Sequence, residues 1–299
     1  MSKLVLIDGN AIMHRGYHAL PPFTTKRGEP INAVYGLVSM LLRVISDLKP
    51  THITVAFDRK EPTFRKKEFE AYQAQRPPMD KALSSQFEKA KDVLYAIGIP
   101  VYEKAGFEAD DIIGTLASES EKNIDEIVIV TGDKDILQLV TEKTKVYLPK
   151  RGLSDTQLMG EEEVVEKLKV TPKQIIDYKA LVGDPSDNYP GVRGIGPKTA
   201  VDLLSKYKSK KEVYENLDKI SESTREKLIK GKQDAEMSYK LAKIIKDVKF
   251  KHDIDSAKDW KVDGDNVLNL FSEFGFRTLT KRVKKVGEEI EKERQGSLF

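Results

Sequence analysis

Nine carboxylates in this chain are spaced in a way that suits metal-assisted phosphoryl chemistry. Asp8, Asp58 and Asp133 each follow a short apolar run: Leu4 to Ile7, His52 to Phe57, and Ile127 to Val130, the last through Thr131-Gly132. Glu108, Asp110 and Asp111 open an apolar-periodic stretch, Asp135 closes Asp133-Lys134-Asp135, and Asp184 and Asp187 share the segment Asp184-Pro185-Ser186-Asp187. Residues three apart on a helix share a face, so Glu108 and Asp111 can point together. Like charges packed this closely repel, the more so when partly desolvated. Hard cations relieve that repulsion, and carboxylates with water are the ligands Mg²⁺ and Mn²⁺ prefer. Two such ions about 4 Å apart can activate a water and stabilise the leaving oxygen of a phosphodiester. Taken singly, Asp110 or Asp111 reads equally well as an N-cap, and Asp184 or Asp187 as a turn residue. The joint pattern favours the metal site. Asp8-Gly9-Asn10 argues against an aspartyl-phosphate phosphatase of the dehalogenase type, which needs a second Asp at position 10.

The elements that position these acids read as an α/β fold. Near-continuous Val/Ile runs ending at an Asp resemble parallel strands buried on both faces. Leu37, Leu41, Val44, Ile45 and Leu48 recur at helical spacing between the first two runs. Helical patterns over Gln86 to Ile97 and Ala109 to Glu121 precede the third, and Ile99 to Tyr102 offers a further strand. Alternating strands and helices predict a central, mostly parallel sheet flanked by helices. Ligands bind beyond the carboxyl ends of such strands, so the strand-end acids are expected to converge. The segment from about 59 to 91 holds nine basic and five acidic residues and is broken by Pro62, Pro77 and Pro78. Starting just after Asp58, it reads as a lid or arch over the site. The expected organisation is an α/β core over 1–170, a helical subdomain over 171–280, and a charged tail over 281–299, with a solvated helix from Lys281 to Arg294.

The chain has 299 residues, 39% hydrophobic and 33% charged, and no Cys, which excludes disulfides and thiolate metal sites. The N-terminal stretch reads as no signal peptide and no run is long enough to span a membrane, so the expected location is cytoplasmic. The net charge is +3; setting the nine acids aside raises it to +12. A basic protein around an acidic hole suits an anionic ligand, although a lysine-rich solvated surface accounts for the charge equally well. His14, His18, His52 and His252 show no ligand spacing.

Gly191-Val192-Arg193-Gly194-Ile195-Gly196-Pro197-Lys198-Thr199-Ala200 resembles a P-loop but fails as one, because Pro197 intrudes before Lys198 and no strand precedes it. It reads instead as a tight glycine turn into a helix over Lys198 to Tyr207. Free N–H groups at Gly194, Gly196 and Thr199, with Arg193 and Lys198, can hold a phosphate. This is the helix-hairpin-helix pattern of sequence-independent grip on DNA; a plain helical turn is the competing reading.

The segments LVLIDGN, VAFD with TFR, FEADDIIGTLA, VTGDKDILQL and LVGDPSDNYPGVRGIGPKTA, with the late FGF, resemble the bacterial 5′–3′ exonuclease family. That family comprises the N-terminal nuclease domain of DNA polymerase I and its stand-alone relatives, akin to flap endonucleases, on a PIN-like core. The resemblance spans nearly the whole chain. It implies a metal-dependent phosphodiesterase acting on DNA 5′ ends, 5′ flaps and RNA–DNA primer junctions, with a helical arch that the 5′ strand threads. It also implies a first metal group of Asp8, Asp58, Glu108, Asp110 and Asp111, and a second of Asp133, Asp135, Asp184 and Asp187. Arg65 and Arg76 match the basic arch residues that polarise the phosphate, and Tyr72 the aromatic that stacks on a base. Gln73 stands where the family usually has Lys; Lys66 or Lys67 could substitute. The glycine turn would bind K⁺ through the carbonyls of Val192 and Ile195.

The expected protein is thus a monomeric two-metal nuclease of replication and repair, free-standing or joined to a DNA polymerase. Two other readings stay open. A DNA-binding module with a dead site would shift a flap substrate without cutting it, and a ribonuclease of a related small fold would prefer single-stranded RNA.

Overall fold

The computed structural model describes residues 1–151 and 155–296. β1 (Lys3–Asp8) runs into α1 (Gly9–Ala19), and α2 (Asn32–Leu48) leads back to β2 (His52–Ala56). Two short helices, α3 (Phe64–Glu68) and α4 (Lys81–Ser84), precede α5 (Phe87–Ile97), β3 (Val101–Tyr102), α6 (Ala109–Ser120) and β4 (Glu126–Val130). β5 (Thr144–Arg151), β6 (Asp155–Met159) and α7 (Glu161–Leu168) follow. The chain then turns helical through α8 (Ile175–Val182), α9 (Pro197–Tyr207), α10 (Lys210–Glu215), α11 (Glu222–Lys230) and α12 (Lys232–Ala242). It closes with α13 (Asp265–Phe274) and α14 (Arg277–Gly296). No helix among the described residues is long and apolar enough to cross a membrane.

The sheet order is β3-β2-β1-β4-β5-β6, and only β5 and β6 pair antiparallel. β1 lies between β2 and β4, so the strand order reverses there, and the crevice at such a reversal is where open α/β sheets bind ligands. Asp8 ends β1, Asp58 lies just past β2, and Asp133 just past β4. All three leave the sheet at that edge.

Side chains alternate across the sheet. Val5, Ile7, Val55, Val128 and Val130 enter one core, which α1, α2, α5, α13 and α14 cover. Leu4, Leu6, Ile127, Ile129 and Val146 enter the other, beneath α6 and the helices from α7 to α12. Burial on both faces is why the strands read as unbroken apolar runs.

The structure differs from the sequence expectation in four places. α1 follows β1 directly, its N-cap held by Asp8, whose Oδ1 accepts from Ala11 N at 2.9 Å. β5 and β6 extend the sheet. The arch segment holds only α3, α4, the start of α5 and turns, and it packs downward: Arg65 and Tyr72 are buried. Finally, the boundary expected at 280 is not where the packing changes. Trp260, Val267, Phe271, Phe276, Leu279 and Val283 all join the first core, so the chain returns to the sheet after α12. α14 accordingly has an apolar face as well as a solvated one, and Lys49 Nζ meets Glu293 Oε1 at 2.5 Å beside it. The last expected tail residues, 297–299, lie outside the described residues.

Because Phe271 is fully buried in the sheet core, Phe271→Ala should lower unfolding stability by about 3–5 kcal/mol. Lys284→Ala, on the solvated face of α14, should stay within about 0.5 kcal/mol of the parent by the same denaturant titration.

Candidate metal centre

A cleft of about 850 Å³ opens at the sheet edge, and Asp8, Asp58, Glu108, Asp110, Asp133, Asp135 and Asp187 line it. Several of these acids are aimed by hydrogen bonds. Asp8 Oδ2 accepts from Thr131 Oγ1 at 2.7 Å, tying β1 to the chain after β4. Asp58 Oδ1 accepts from Ala109 N at 2.7 Å, at the start of α6, where free N–H groups favour a carboxylate. Asp58 N donates to Asn10 Oδ1 at 2.9 Å, which joins the β1 and β2 ends. Glu108 is the N-cap of α6, and Asp110 lies in its first turn. Asp133 Oδ1 accepts from Asp135 N at 2.8 Å, which folds the Asp133–Asp135 turn so that both acids face inward.

Asp184 and Asp187 come from the turn after α8. Asp184 Oδ1 accepts from Ser186 N at 2.8 Å, and Asp184 and Tyr189 pair across the turn. Gly183 has φ +79 and Gly191 φ +60, and a Cβ on Gly191 would lie 2.2 Å from Gly183 N. Only glycine permits that crossing. Asp135, Asp184 and Asp187 offer carboxylate oxygens within 4.8 Å of one another.

The electrostatics follow from the crowding. Burial pushes Asp8 up to about 7, and the Asp58 and Asp133 charges add to it, against the Ala11 N–H and Thr131 hydroxyl. Burial also raises Glu108 to about 7, with Arg65 pulling the other way. Asp110 is held well above the usual carboxylate range by burial and then by Asp133 and Asp8. Asp58 is raised by burial. In the second group, burial raises Asp135 to about 6 despite the Lys179 charge. Asp184 ends below its ordinary value, because hydrogen bonds from Lys179 and Ser186 outweigh its burial. The donors are all oxygens, and no thiol is available. This set fits hard divalent cations.

Two predicted ligands do not line the cleft. Asp111 is fully buried, and its oxygens accept from Arg65 Nη1 at 2.7 Å, Arg65 Nη2 at 2.8 Å, Ile245 N at 2.9 Å and Glu108 N at 3.1 Å. Asp184 is turned to Lys179, which bridges it and Asp135, at 2.5 Å from Asp184. The arch residues also depart from expectation. Arg65 is 2% exposed and committed to Asp111 and Glu108. Tyr72 is 4% exposed, its hydroxyl 3.3 Å from both Glu108 and Asp187, so its ring is not free to stack in this conformation. Arg76 keeps the expected position at the cleft, its Nη2 2.5 Å from Asp187 Oδ1. Gln73 fills the lysine position with an amide that donates to Asp187 Oδ1 at 3.1 Å. Sequence reasoning missed Asn10, Thr131, Lys179 and the cleft-lining His14. Only Asn10, inside Asp8-Gly9-Asn10, carried a signal.

The glycine turn stands apart from the cleft. Val192 N donates to Leu181 O at 2.8 Å, and Ile195 N to Val192 O at 2.9 Å. Val192 and Ile195 are buried, whereas Arg193 and Lys198 are exposed around Gly194, Gly196 and Thr199 at the start of α9.

The family description "5'-3' exonuclease, N-terminal resolvase-like domain" matches residues 3–169, and "5'-3' exonuclease, C-terminal SAM fold" matches 170–265. A 5'-3' exonuclease of Aquifex aeolicus is 36% identical over 299 residues, covering all of both chains. DNA polymerase I of Bacillus subtilis is 40% identical over 292 residues, 97% of this chain but 33% of that protein. The chain therefore spans about a third of the polymerase relatives it matches. Among solved structures, T5 D15 protein co-crystallised with metal ions aligns with TM-score 0.66 at 19% identity, over 96% of this chain and 98% of that one. The catalytic core of Rad2 in complex with DNA substrate aligns at 0.57 and 16%, over 95% and 92%. Both likenesses concern the fold. By the match along its length and by the Aquifex aeolicus relative, the chain belongs to the 5′–3′ exonuclease family.

Proposed function

We propose that the protein hydrolyses DNA phosphodiesters as a 5′–3′ exonuclease and 5′-flap endonuclease, using two Mg²⁺ or Mn²⁺ ions. The observation that carries this reading is the convergence of seven of these acids, from five separate segments, on one cleft at the sheet's topological reversal. Asp8, Asp58, Glu108 and Asp110 would hold one ion. Asp133, Asp135, Asp184 and Asp187 would hold the other, once Lys179 and Arg76 give way. Bound there, such ions lower the pKa of water and neutralise charge on the phosphodiester. The chain's own residues do the rest. Arg76, half-exposed at the cleft mouth, swings from Asp187 to the phosphate. Gln73 orients by hydrogen bonding and adds no charge. Tyr72 reaches a base only when the segment 59–91 lifts to admit a 5′ strand, the arch role we assign to it.

The turn at 191–200 and α9 grip the duplex backbone away from the cut, through N–H groups at the helix start with Arg193 and Lys198. K⁺ on the carbonyls of Val192 and Ile195 would stiffen that turn. The same reading extends to RNA–DNA primer junctions, to a monomer in the cytoplasm, and to work beside a DNA polymerase. The division into a core, an arch and a DNA-gripping helical subdomain belongs to this proposal too.

Asp8→Asn or Asp110→Asn should slow cleavage of a labelled 5′-flap DNA in Mg²⁺ by on the order of 10²–10³-fold. Flap binding measured in Ca²⁺ should persist, and full activity in either variant refutes the assignment. The acid test concerns protons. Carboxylates raised from ordinary values near ~4 to about 7 favour the folded state while protonated. Metal-free protein should lose stability as pH rises from about 4 through about 7, and Mg²⁺ should flatten that slope. Mn²⁺ titration at pH ~6.5 in two buffers of different ionisation heat should show proton release. Lys198→Ala should weaken DNA binding equally on all sequences and lower the salt slope by about one.

A further inference from the structure

The segment leaving α12 is docked by side chains instead of a strand neighbour. Arg65 Nε donates to Leu241 O at 2.8 Å, Arg65 Nη2 to Lys243 O at 2.9 Å, and Gln138 Nε2 to Ala242 O at 3.0 Å. In return, Ile244 N donates to Gln138 Oε1 at 2.9 Å, Ile245 N to Asp111 Oδ1 at 2.9 Å, and Val248 N to Thr115 Oγ1 at 3.1 Å. Asp111, Thr115 and Gly114 lie together on α6. Gly114 makes the approach possible, since a Cβ there would sit 2.7 Å from Ile244 Cγ2 and 3.1 Å from Ile245 O.

At the centre of this contact is a desolvated ion pair. The Arg65 side chain is 3% exposed and Asp111 0%. A carboxylate offers roughly four acceptor positions. All are used here, by two guanidinium N–H groups and the Glu108 and Ile245 amides. No lone pair is left for a cation, and the guanidinium N–H groups are taken by protein acceptors. A buried pair seldom adds stability over an apolar filling; its best-attested use is to fix one register. Arg65 Nη1 also lies 3.2 Å from Glu108 Oε2, so the same guanidinium that anchors residues 241–243 orients a cleft carboxylate.

We propose that Arg65 and Asp111 are positioning residues, contacting neither metal nor phosphate. They lock the exit of α12 to the start of α6, and so hold Glu108 and Asp110 in register with the helices that follow the glycine turn. The proposal rests on the reading that the cleft acids bind divalent cations.

The test uses the full chain. The double variant Arg65→Gln/Asp111→Asn removes the ion pair without changing net charge, and Gly114→Ala pushes the segment away without touching a charge. In both, Mn²⁺ binding measured calorimetrically without DNA should weaken about tenfold, the scale of losing a group that orients a ligand. Amide exchange at Ile245 should quicken about tenfold while Ile129, inside the sheet, keeps its protection. The slope of log Kd against log salt for flap DNA in Ca²⁺ should be that of the parent in the double variant. A slope lower by about one would mean that Arg65 holds a phosphate and would overturn the proposal. Parent-like Mn²⁺ affinity in Gly114→Ala would overturn it as well, and that arm decides the matter if the double variant does not fold. A parent protein that binds Mn²⁺ but never cuts flap DNA would sink the nuclease reading and leave this one standing.

Discussion

The burial of clustered carboxylates, with the repulsion it brings, is the constraint that organises this protein. Parallel strands bring Asp8, Asp58 and Asp133 to one edge, and α6 adds Glu108 and Asp110 from the side. Nothing in the hydrophobic effect favours that gathering. Two well-filled cores, one on each face of the sheet, supply the rigidity that holds it. Local hydrogen bonds then aim the acids: Thr131 and Ala11 on Asp8, Ala109 on Asp58. Burial first, and neighbouring carboxylates after it, push Asp8 and Glu108 up to about 7.

The sequence was most informative where one local cause dominates. Strands sealed on both faces declare themselves as Val/Ile runs, and the acid at each end marks the exit to the cleft. β5 and β6 were not legible, because Thr144–Arg151 mixes Lys and Thr with its apolar residues near the sheet's edge. α1 hid for another reason: Asp8 serves at once as strand end and helix cap, so no gap separates the two elements. The return of α13 and α14 to the first core depends on long-range packing of Phe271 and Val283, which no local pattern encodes.

At the site the same distinction holds. That acids would cluster was readable from spacing; which of them would be free was not. Asp110 and Asp111 are neighbours with identical side chains, yet one faces the cleft and the other is enclosed by Arg65 and two amides. A helix turns about 100° per residue, so adjacent positions look in different directions. What fills each direction is decided by residues far along the chain, here those after α12. The burial of Arg65 and Tyr72 was hidden for the same reason. A basic, proline-broken segment reads as exposed, whereas its fold places a guanidinium and a phenol in the interior.

Lys179 has a consequence for how the chain comes to be folded at all. It lies between Asp135 and Asp184, and Arg76 lies on Asp187, so the second acid group carries its own internal cations. A nascent chain can therefore close this half of the cleft wherever it is made, however scarce divalent ions are. Under the proposed metal assignment, loading would be an exchange of tenants in a finished house, not a step of construction. Assembly and arming would then be separate events, set by different supplies.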